Sequence, residues 1–281
     1  MRVLIWDFDG VIVDTVRECY ILTLRTIERE KDYLAREAGI AKFAPIPFSD
    51  FEVYRSKSVN AADFFANYIL HHTGLEMNEE NLEKVTKKHQ PFLKKMDIVF
   101  YEERDRLMNE NKAEYFGTLK VYAGIPKTLE SLSNLGIKHA IMSARDSHSI
   151  KQILTHFKLL RHFEYIIGHE VNKGDRHVKG MQISMLKGHF EEKYGDVNGK
   201  KTDLLGKTAS AQTGTSHASK SPGKIEYSFI DDIPFNLKKV EGQANLLFAK
   251  WGYGKLPRGY VDCTVAKMPS NLPSLLAPKH S

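Results

Sequence analysis

The sequence predicts an α/β protein: a doubly wound parallel sheet with an inserted all-helical cap domain. From residue 120 onward, short apolar runs of strand length alternate with helical patterns, as in sheets whose strands are joined by helical crossovers. A similar apolar run at residues 2–6 is followed by a long stretch with only helical periodicity. Acidic and polar residues follow several of these strands, where such sheets bind ligands.

Composition limits the class of protein. The chain has 281 residues, of which 42% are hydrophobic and 27% charged, which is ordinary for a globular protein of one or two domains. No apolar run approaches the roughly 18 residues of a membrane span, and Asp7 interrupts the first run before it could form a secretory signal. The two cysteines, Cys19 and Cys263, show no disulfide or metal pattern and favour a cytoplasmic location.

The positive charge of the chain is concentrated in one segment. The net charge is +6, which could indicate a nucleic-acid partner. Residues 199–224, however, contain five lysines against one aspartate and supply +4 of it. Residues 195–225 are rich in Gly, Ser, Thr and Lys without apolar periodicity, and predict a disordered insertion. We therefore expect neither a nucleic-acid nor a membrane partner; the oligomeric state is not predicted.

The first strand ends in carboxylates. The run RVLIW at residues 2–6 is typical of a strand buried on both faces, and Asp7, Asp9 and Asp14 follow it. Asp9-Gly10 between apolar residues is also a strong hairpin signal, and the stretch taken alone favours that simpler interpretation. The remaining motifs must decide between a turn and a functional site.

Residues 15–119 predict the all-helical domain. The first helix follows Asp14 and has one apolar stripe, formed by Val16, Tyr20, Leu24 and Ile27. Further helices are expected near Asn60, after the capping residue Asn78, and across residues 92–114. Residues 1–14 and 120–281 are then the α/β core domain.

The elements of the core domain follow from residue 120. Pro126 opens a helix that Gly136 ends, and a second helix starts at Ser147. The later elements are strands at 138–142, 165–168, 227–230 and 246–249 and a helix at 181–194.

Four of the predicted strands are followed by residues whose side chains can bind ligands or take part in catalysis. The residues are Asp7 and Asp9 after the first strand, Ser143 after the second, Lys179 at the helix start after the third, and Asp231 and Asp232 after the fourth. The carboxyl ends of parallel strands meet at one edge, so these side chains should converge. Two carboxylates about 4 Å apart repel by roughly 4 kcal/mol at an effective dielectric of about 20, so the cluster needs a cation.

Oxygen ligands without thiolate or imidazole predict Mg²⁺. A hydroxyl and an ammonium facing them suit phosphate oxygens. The pattern as a whole indicates phosphoryl transfer.

These motifs resemble those of the haloacid dehalogenase-like hydrolases. DFDGVIVDT is similar to the family's first motif, MSAR to the second, VKGMQISML to the third and FIDDIPFN to the fourth, in the same order. The segment from KWGYGK to SNLPSLL resembles the end of the phosphoglycolate-phosphatase-like branch. The resemblance covers residues 1–14 and about 120–275, and implies a Rossmann-like core with a helical cap at 15–119.

The resemblance implies roles for individual residues. Asp7 would be the nucleophile and Asp9 the general acid and base. Mg²⁺ would be held by Asp7, the main-chain carbonyl of Asp9, and Asp231 or Asp232. The choice between the last two stays open, because Asn236 stands where the family often has a further acid.

The phosphate would be bound by Ser143, Ala144 and Lys179. Lys173 and Lys187 compete with Lys179, which is preferred because an apolar helical pattern starts directly after it. Arg55 and Asn60 are possible contacts of the leaving group, although solvated surface is the favoured interpretation for both.

The predicted function is a Mg²⁺-dependent phosphatase that hydrolyses a small phosphomonoester, such as phosphoglycolate or a sugar phosphate, through an aspartyl-phosphate. The acid at position 9 favours a phosphatase or phosphomutase, since the dehalogenase branch lacks it. A phosphomutase is the first alternative. A non-catalytic binding module that uses the basic insertion is the second.

Overall fold

A computed structural model describes residues 1–40, 44–171, 178–195 and 224–277. Within these residues six strands form one parallel sheet in the order β5-β4-β1-β6-β7-β8, which confirms the predicted α/β class. The strands are β1 (Arg2–Trp6), β2 (Val13–Asp14), β3 (Lys120–Val121), β4 (Ile137–Met142), β5 (Phe163–Ile167), β6 (Glu226–Asp231), β7 (Asn245–Ala249) and β8 (Thr264–Ala266). The sequence did not predict β2, β3 and β8, which have only two or three residues each.

The central position of β1 aligns the strand ends. Its apolar residues are buried on both faces, with Leu4 and Trp6 in one core cluster and Val3 and Ile5 in the other. Trp6 pairs with Ile141 of β4 and with Ile230 of β6. The residues that follow these pairs therefore emerge side by side at the carboxyl edge.

The Asp9-Gly10 turn is not the turn of a simple hairpin. Gly10 has a φ of 85°, which only glycine adopts readily, and its N–H donates to the Val13 carbonyl at 2.9 Å. The strand after the turn, β2, pairs antiparallel with β3 rather than with β1. β2 precedes the helical segment and β3 follows it. The β2–β3 ribbon therefore pairs the two stretches of chain that connect this segment to the rest of the protein.

The segment at residues 15–119, here called the cap, is helical in its described part. Its helices are α1 (Val16–Arg29), α2 (Lys31–Ala38), α3 (Phe48–Arg55), α4 (Ala61–Thr73), α5 (Glu79–Lys88), α6 (Gln90–Glu110) and α7 (Lys112–Gly117). The sequence did not predict α2 and α3, which have eight residues each and show too few turns for periodicity. The single helix predicted for 92–114 is divided at Asn111, whose side chain caps α7.

The apolar stripe predicted for α1 is only partly right. Of its four residues only Ile27 is fully buried, while Val16, Tyr20 and Leu24 are half-buried. The buried face instead comprises Glu18, Cys19, Leu22, Thr23, Thr26 and Ile27. The buried face is thus rotated relative to the predicted stripe, and it includes a carboxylate and two threonines that a search for apolar residues passes over.

The remaining helices cover both faces of the sheet. They are α8 (Ile125–Asn134), α9 (Ser147–His156), α10 (Val178–Tyr194), α11 (Pro234–Lys239) and α12 (Leu272–Leu276). None of the helices in the described ranges is long and apolar enough to cross a membrane. The insertion predicted at 195–225 lies outside the described residues except at its ends.

Candidate active site

Three aspartates form a buried cluster at the carboxyl edge of the sheet. Asp7 follows β1, Asp231 ends β6, and Asp232 comes next in the chain. Each offers an oxygen, and these oxygens lie within 4.8 Å of one another. All three side chains are buried, so water does little to screen their repulsion.

Lys179 is the basic residue of this cluster. It lies in the first turn of α10, and its Nζ donates to Asp7 Oδ1 at 2.6 Å and lies 3.7 Å from Asp231 Oδ2. Its exposed fraction is 1%. Lys187, further along α10, places its ammonium over the ring of Tyr227 at 5.2 Å, and Lys173 lies outside the described residues.

The electrostatics of the cluster disfavour three negative charges. Burial raises the pKa of Asp7 above its ordinary value, although the neighbouring ammonium of Lys179 acts in the opposite direction. Burial and the charge of Asp7 raise the pKa of Asp232 to about 7 and that of Asp231 well above its ordinary value. A divalent cation would relieve this repulsion.

The two neighbouring aspartates differ in their hydrogen bonds. Asp231 accepts from the Ile233 N–H at 2.8 Å on Oδ1 and from Asn236 Nδ2 at 3.0 Å on Oδ2. Asp232 Oδ2 accepts from the Tyr253 N–H at 2.6 Å, whereas its buried Oδ1 has no hydrogen-bond partner among the described residues. One carboxylate oxygen in the cluster is therefore free for a ligand.

Glycines allow the chain to pass close to Asp232. A Cβ on Gly10 would lie 2.5 Å from Asp232 Oδ2, and a Cβ on Gly252 would lie 2.3 Å from the Asp232 Cβ. Both distances are shorter than any real contact, so only glycine fits. The first motif and the segment after β7 thus enclose Asp232 from two sides.

Asp9 has the opposite surroundings. Its carboxylate accepts from Arg145 Nη2 at 2.9 Å and from Arg145 Nε at 3.1 Å, and its side chain is 14% exposed. Burial alone would raise the pKa of Asp9, but the charges of Arg145 and Arg55 outweigh it and lower the pKa below its ordinary value. The ionised form of Asp9 is therefore favoured.

The second motif forms a tight turn after β4. Ser143 is buried, and its Oγ accepts from the Arg145 N–H at 3.1 Å, which leaves the hydroxyl proton free to point elsewhere. Gln182 of α10 fixes the turn by donating to the Ser143 carbonyl at 2.8 Å. The Ala144 carbonyl accepts from the hydroxyl of Tyr101 in the cap at 3.0 Å. Asp146, not Ser143, caps α9.

Arg55 is not solvated surface, and the interpretation favoured from the sequence was wrong for it. It is 7% exposed, with its guanidinium 4.6 Å from the centre of the Tyr253 ring. Its Nη1 donates to the Ser58 carbonyl, and its buried Nε has no hydrogen-bond partner among the described residues. Tertiary packing against Tyr253, distant in the chain, buries a charge that local sequence could not place.

Asn60 is half-buried and caps α4 by accepting from the Asp63 N–H at 3.1 Å. With Arg55 it lines a cavity of about 30 Å³ between the cap and the sheet edge, which Asp9, Ala144 and Arg145 also line. That is about the volume of one water molecule. The two residues therefore lie beside the predicted site.

The sequence assigned no role to four charged or polar residues near the site. Arg145 contacts Asp9 and Tyr253 contacts Asp232, while Glu18 contacts Arg145 and Arg104. Arg145 stood within the quoted second motif, directly after Ser143 and Ala144, and that position was the available signal. Glu18 had a weaker signal, an acid within a helix beside the apolar Cys19 and Leu22.

Comparisons with known proteins agree with this arrangement. A family model described as haloacid dehalogenase-like hydrolase matches residues 1–186. No curated protein matches the chain by sequence.

Solved structures share the fold at low sequence identity. A predicted phosphoglycolate phosphatase from Haemophilus somnus superposes with a TM-score of 0.59 at 11% identity, over 97% of this chain and 96% of that chain. A predicted phosphatase from Clostridium acetobutylicum gives 0.55 at 16% identity, over 98% and 97%. An archaeal beta-phosphoglucomutase from Pyrococcus sp. strain ST 04 gives 0.53 at 17% identity, over 95% and 93%. These similarities show the fold.

Proposed function

We propose that this chain, which belongs to the haloacid dehalogenase-like hydrolase family, is a Mg²⁺-dependent phosphatase that hydrolyses a small phosphomonoester through an aspartyl-phosphate. The observation that carries the proposal is the buried cluster of Asp7, Asp231 and Asp232 around the Lys179 ammonium. Two structural neighbours described as predicted phosphatases are consistent with the same chemistry.

The residues present fit a magnesium ion. Asp7, Asp232 and the main-chain carbonyl of Asp9 would hold it, because the buried Oδ1 of Asp232 has no other partner among the described residues. Both carboxylate oxygens of Asp231 already accept hydrogen bonds, so Asp231 would orient Lys179 rather than bind the metal. When bound, Mg²⁺ would neutralise charge on the transferring phosphoryl group.

Asp7 would carry the phosphoryl group. One of its carboxylate oxygens forms a bond to phosphorus while the bond between phosphorus and the leaving oxygen breaks. A water oxygen then bonds to phosphorus, and the bond to Asp7 breaks to release inorganic phosphate. Lys179 and the Ser143 hydroxyl donate to the phosphate oxygens as negative charge develops on them.

Asp9 would carry the proton. It protonates the leaving oxygen in the first step and takes a proton from the attacking water in the second. The ionised form that Arg145 and Arg55 favour is the form that the second step requires. In the first step the negative charge of the arriving phosphate would raise the pKa of Asp9 and favour its protonated form.

The substrate would be a small phosphorylated metabolite such as phosphoglycolate or a sugar phosphate. The cavity of about 30 Å³ beside Asp9 does not hold such a molecule, so the cap would open to admit it and close to exclude water. Both cysteines are free thiols, which supports the proposal of a cytoplasmic location.

An assay of p-nitrophenyl phosphate hydrolysis, with and without Mg²⁺, tests the proposal on wild type and Asp7→Asn. We expect activity that requires both Mg²⁺ and Asp7, while Glu80→Gln, which alters an exposed pair with Lys84, behaves as wild type. Activity that persists in Asp7→Asn or without metal would reject the proposal. Product analysis with a sugar phosphate separates release of inorganic phosphate from transfer to a sugar hydroxyl, the phosphomutase alternative.

A further inference from the structure

The guanidinium of Arg145 lies between two carboxylates. On one side it donates to Asp9 through Nε at 3.1 Å and Nη2 at 2.9 Å. On the other side it donates to Glu18 through Nη1 at 2.9 Å and Nη2 at 2.6 Å. The two bonds to Glu18 reach different carboxylate oxygens and fix the plane of the guanidinium. Both bonds to Asp9 reach Oδ1, and Nε also lies 3.2 Å from Oδ2, so the same guanidinium holds the Asp9 carboxylate.

Every N–H of Arg145 has an acceptor within the protein. A guanidinium has five N–H donors. The Nε donor and one on Nη2 go to Asp9, the other on Nη2 and one on Nη1 go to Glu18, and the last faces the Tyr115 hydroxyl at 3.4 Å. Arg145 therefore has no donor left for a substrate oxygen, in contrast to Arg55, whose buried Nε has no partner among the described residues.

Glu18 is the anchor of this arrangement. It is fully buried in the first turn of α1 and also accepts from Arg104 Nε at 2.8 Å and from the Tyr115 hydroxyl at 3.3 Å. Glu18, Arg104 and Tyr115 all belong to the cap, on α1, α6 and α7. The residues that contact Arg145 on the side away from the site thus come from the cap. On the other side, Arg145 contacts the site residue Asp9.

We propose that Arg145 and Glu18 are positioning residues for proton transfer, which hold the Asp9 carboxylate toward the leaving oxygen of the substrate. The inference rests on the proposed function, in which Asp9 carries the proton. Proton transfer needs the donor and acceptor atoms within about 2.6–3.2 Å of each other. Without Arg145, the Asp9 side chain would be free to rotate toward solvent, to which it is already partly exposed.

This role predicts a dependence on the leaving group. As the bond between phosphorus and the leaving oxygen breaks, a proton moves from Asp9 to that oxygen. A nitrophenolate is stable without the proton, whereas an alkoxide is not. Loss of positioning should therefore slow the transfer of the phosphoryl group from an alkyl phosphate to Asp7 far more than the transfer from p-nitrophenyl phosphate.

The test compares the ratio of kcat/KM for these two esters in wild type, Glu18→Gln and Arg145→Lys, because kcat/KM covers only the steps up to departure of the leaving group and omits the later hydrolysis that both esters share. We expect kcat/KM for the alkyl ester to fall by about 10²-fold in both variants, and kcat/KM for the nitrophenyl ester to fall by less than about fivefold. The ratio comes from one preparation, so it does not depend on what fraction of a variant folds. Arg145→Lys keeps the charge but cannot hold both carboxylates in two-pronged contacts.

Glu103→Gln is the matched control. Glu103 is another buried carboxylate of the cap held by two arginines, Arg29 at 3.1 Å and Arg106 at 2.6 Å, away from Asp9. Its variant should keep the wild-type ratio even if its stability falls.

Two outcomes separate the inference from the proposed function. An equal loss on both esters in Glu18→Gln and Arg145→Lys, with Asp7→Asn inactive, would overturn the positioning role and leave the phosphatase proposal standing. Absence of Asp7-dependent hydrolysis in the wild type would overturn both.

Discussion

Asp7 and Asp9 are two residues apart in the chain and lie in opposite electrostatic surroundings. Asp7 shares a buried site with Asp231, Asp232 and Lys179, and burial raises its pKa. Asp9 is held by the guanidinium of Arg145, and its pKa is lowered. The same residue type, from the same short loop, thus has an excess of negative charge around it at one position and matched charge at the other.

The two carboxylates differ in how much positive charge the protein supplies around them. Around Asp7 three carboxylates face the Lys179 ammonium, so a bound cation would lower the repulsion between them. Around Asp9 the protein itself supplies positive charge through Arg145 and Arg55. In the proposed function, environment rather than motif spacing assigns phosphoryl transfer to Asp7 and proton transfer to Asp9.

The largest expected effect separates the two carboxylates directly. Asp7→Asn should lower kcat by at least about 10³-fold on any ester, because no covalent intermediate can form. Asp9→Asn should lower kcat/KM by a similar factor on an alkyl phosphate but by much less on p-nitrophenyl phosphate, whose leaving group needs no proton; kcat/KM omits the later hydrolysis step, which both esters share. Parallel rate measurements on the two esters check this, and equal losses in the two variants would remove the distinction.

The next effect concerns Lys179, whose ammonium lies in the Asp7 cluster. Lys179→Met should lower kcat by about 10²- to 10³-fold, because its charge stabilises the transferring group. Lys187→Met removes a lysine from the same helix whose ammonium lies over Tyr227, and should retain wild-type activity. The reverse result would transfer the role to Lys187.

The third prediction concerns the contribution of Glu18, which contacts Arg145 beside Asp9, to the stability of the fold. The charges of two arginines lower the pKa of Glu18 to about 2 against the burial that opposes them. Because this value lies below the ordinary 4.5, the stabilisation is complete above pH 4.5 and is lost as pH falls toward 2. Wild type should exceed Glu18→Gln in free energy of unfolding by about 3 kcal/mol at pH 6 and by about 1 kcal/mol at pH 3.

Urea unfolding of both proteins across this pH range measures the difference. Glu80→Gln, which breaks an exposed pair with Lys84, should follow the wild-type profile. A gap between wild type and Glu18→Gln that stays constant with pH would show that the carboxylate is not held ionised.

The smallest effect is the response of stability to metal. Mg²⁺ at ten times its Kd should raise the free energy of unfolding of the wild type by about 1.4 kcal/mol, because the folded cluster binds it. Asp232→Asn should lose this response, and Glu18→Gln should keep it, since Glu18 belongs to the other site. Urea unfolding with Mg²⁺ or with EDTA gives the values. A response in Asp232→Asn equal to that of wild type would place the metal elsewhere.

The sequence was sufficient to predict the parallel sheet and the meeting of its strand ends. Topology alone brings Asp7, Ser143, Lys179 and Asp232 to one edge, because parallel strands all end there. The arginine and glutamate pairs could not be predicted in this way. Glu18 meets partners 86 and 127 positions away, and no local pattern shows which charges will be buried together. Arg55 was misplaced for the same reason.

The glycines around Asp232 mark a second limit. Gly10 and Gly252 are far apart in the chain. Only the folded structure, in which both lie against the Asp232 side chain, shows that neither position has room for a Cβ. A turn and a loop were all that their local sequence indicated.

The most direct measurement is to trap the phosphorylated residue. Wild-type protein is mixed with Mg²⁺ and p-nitrophenyl phosphate, quenched during turnover, reduced with borohydride, and digested for peptide mass spectrometry. Borohydride converts an aspartyl-phosphate to homoserine. We predict homoserine at position 7 with Asp9 unchanged, and none when Mg²⁺ or the ester is omitted. Turnover with Asp7 unmodified, or homoserine at position 9, would contradict the assignment of the two carboxylates.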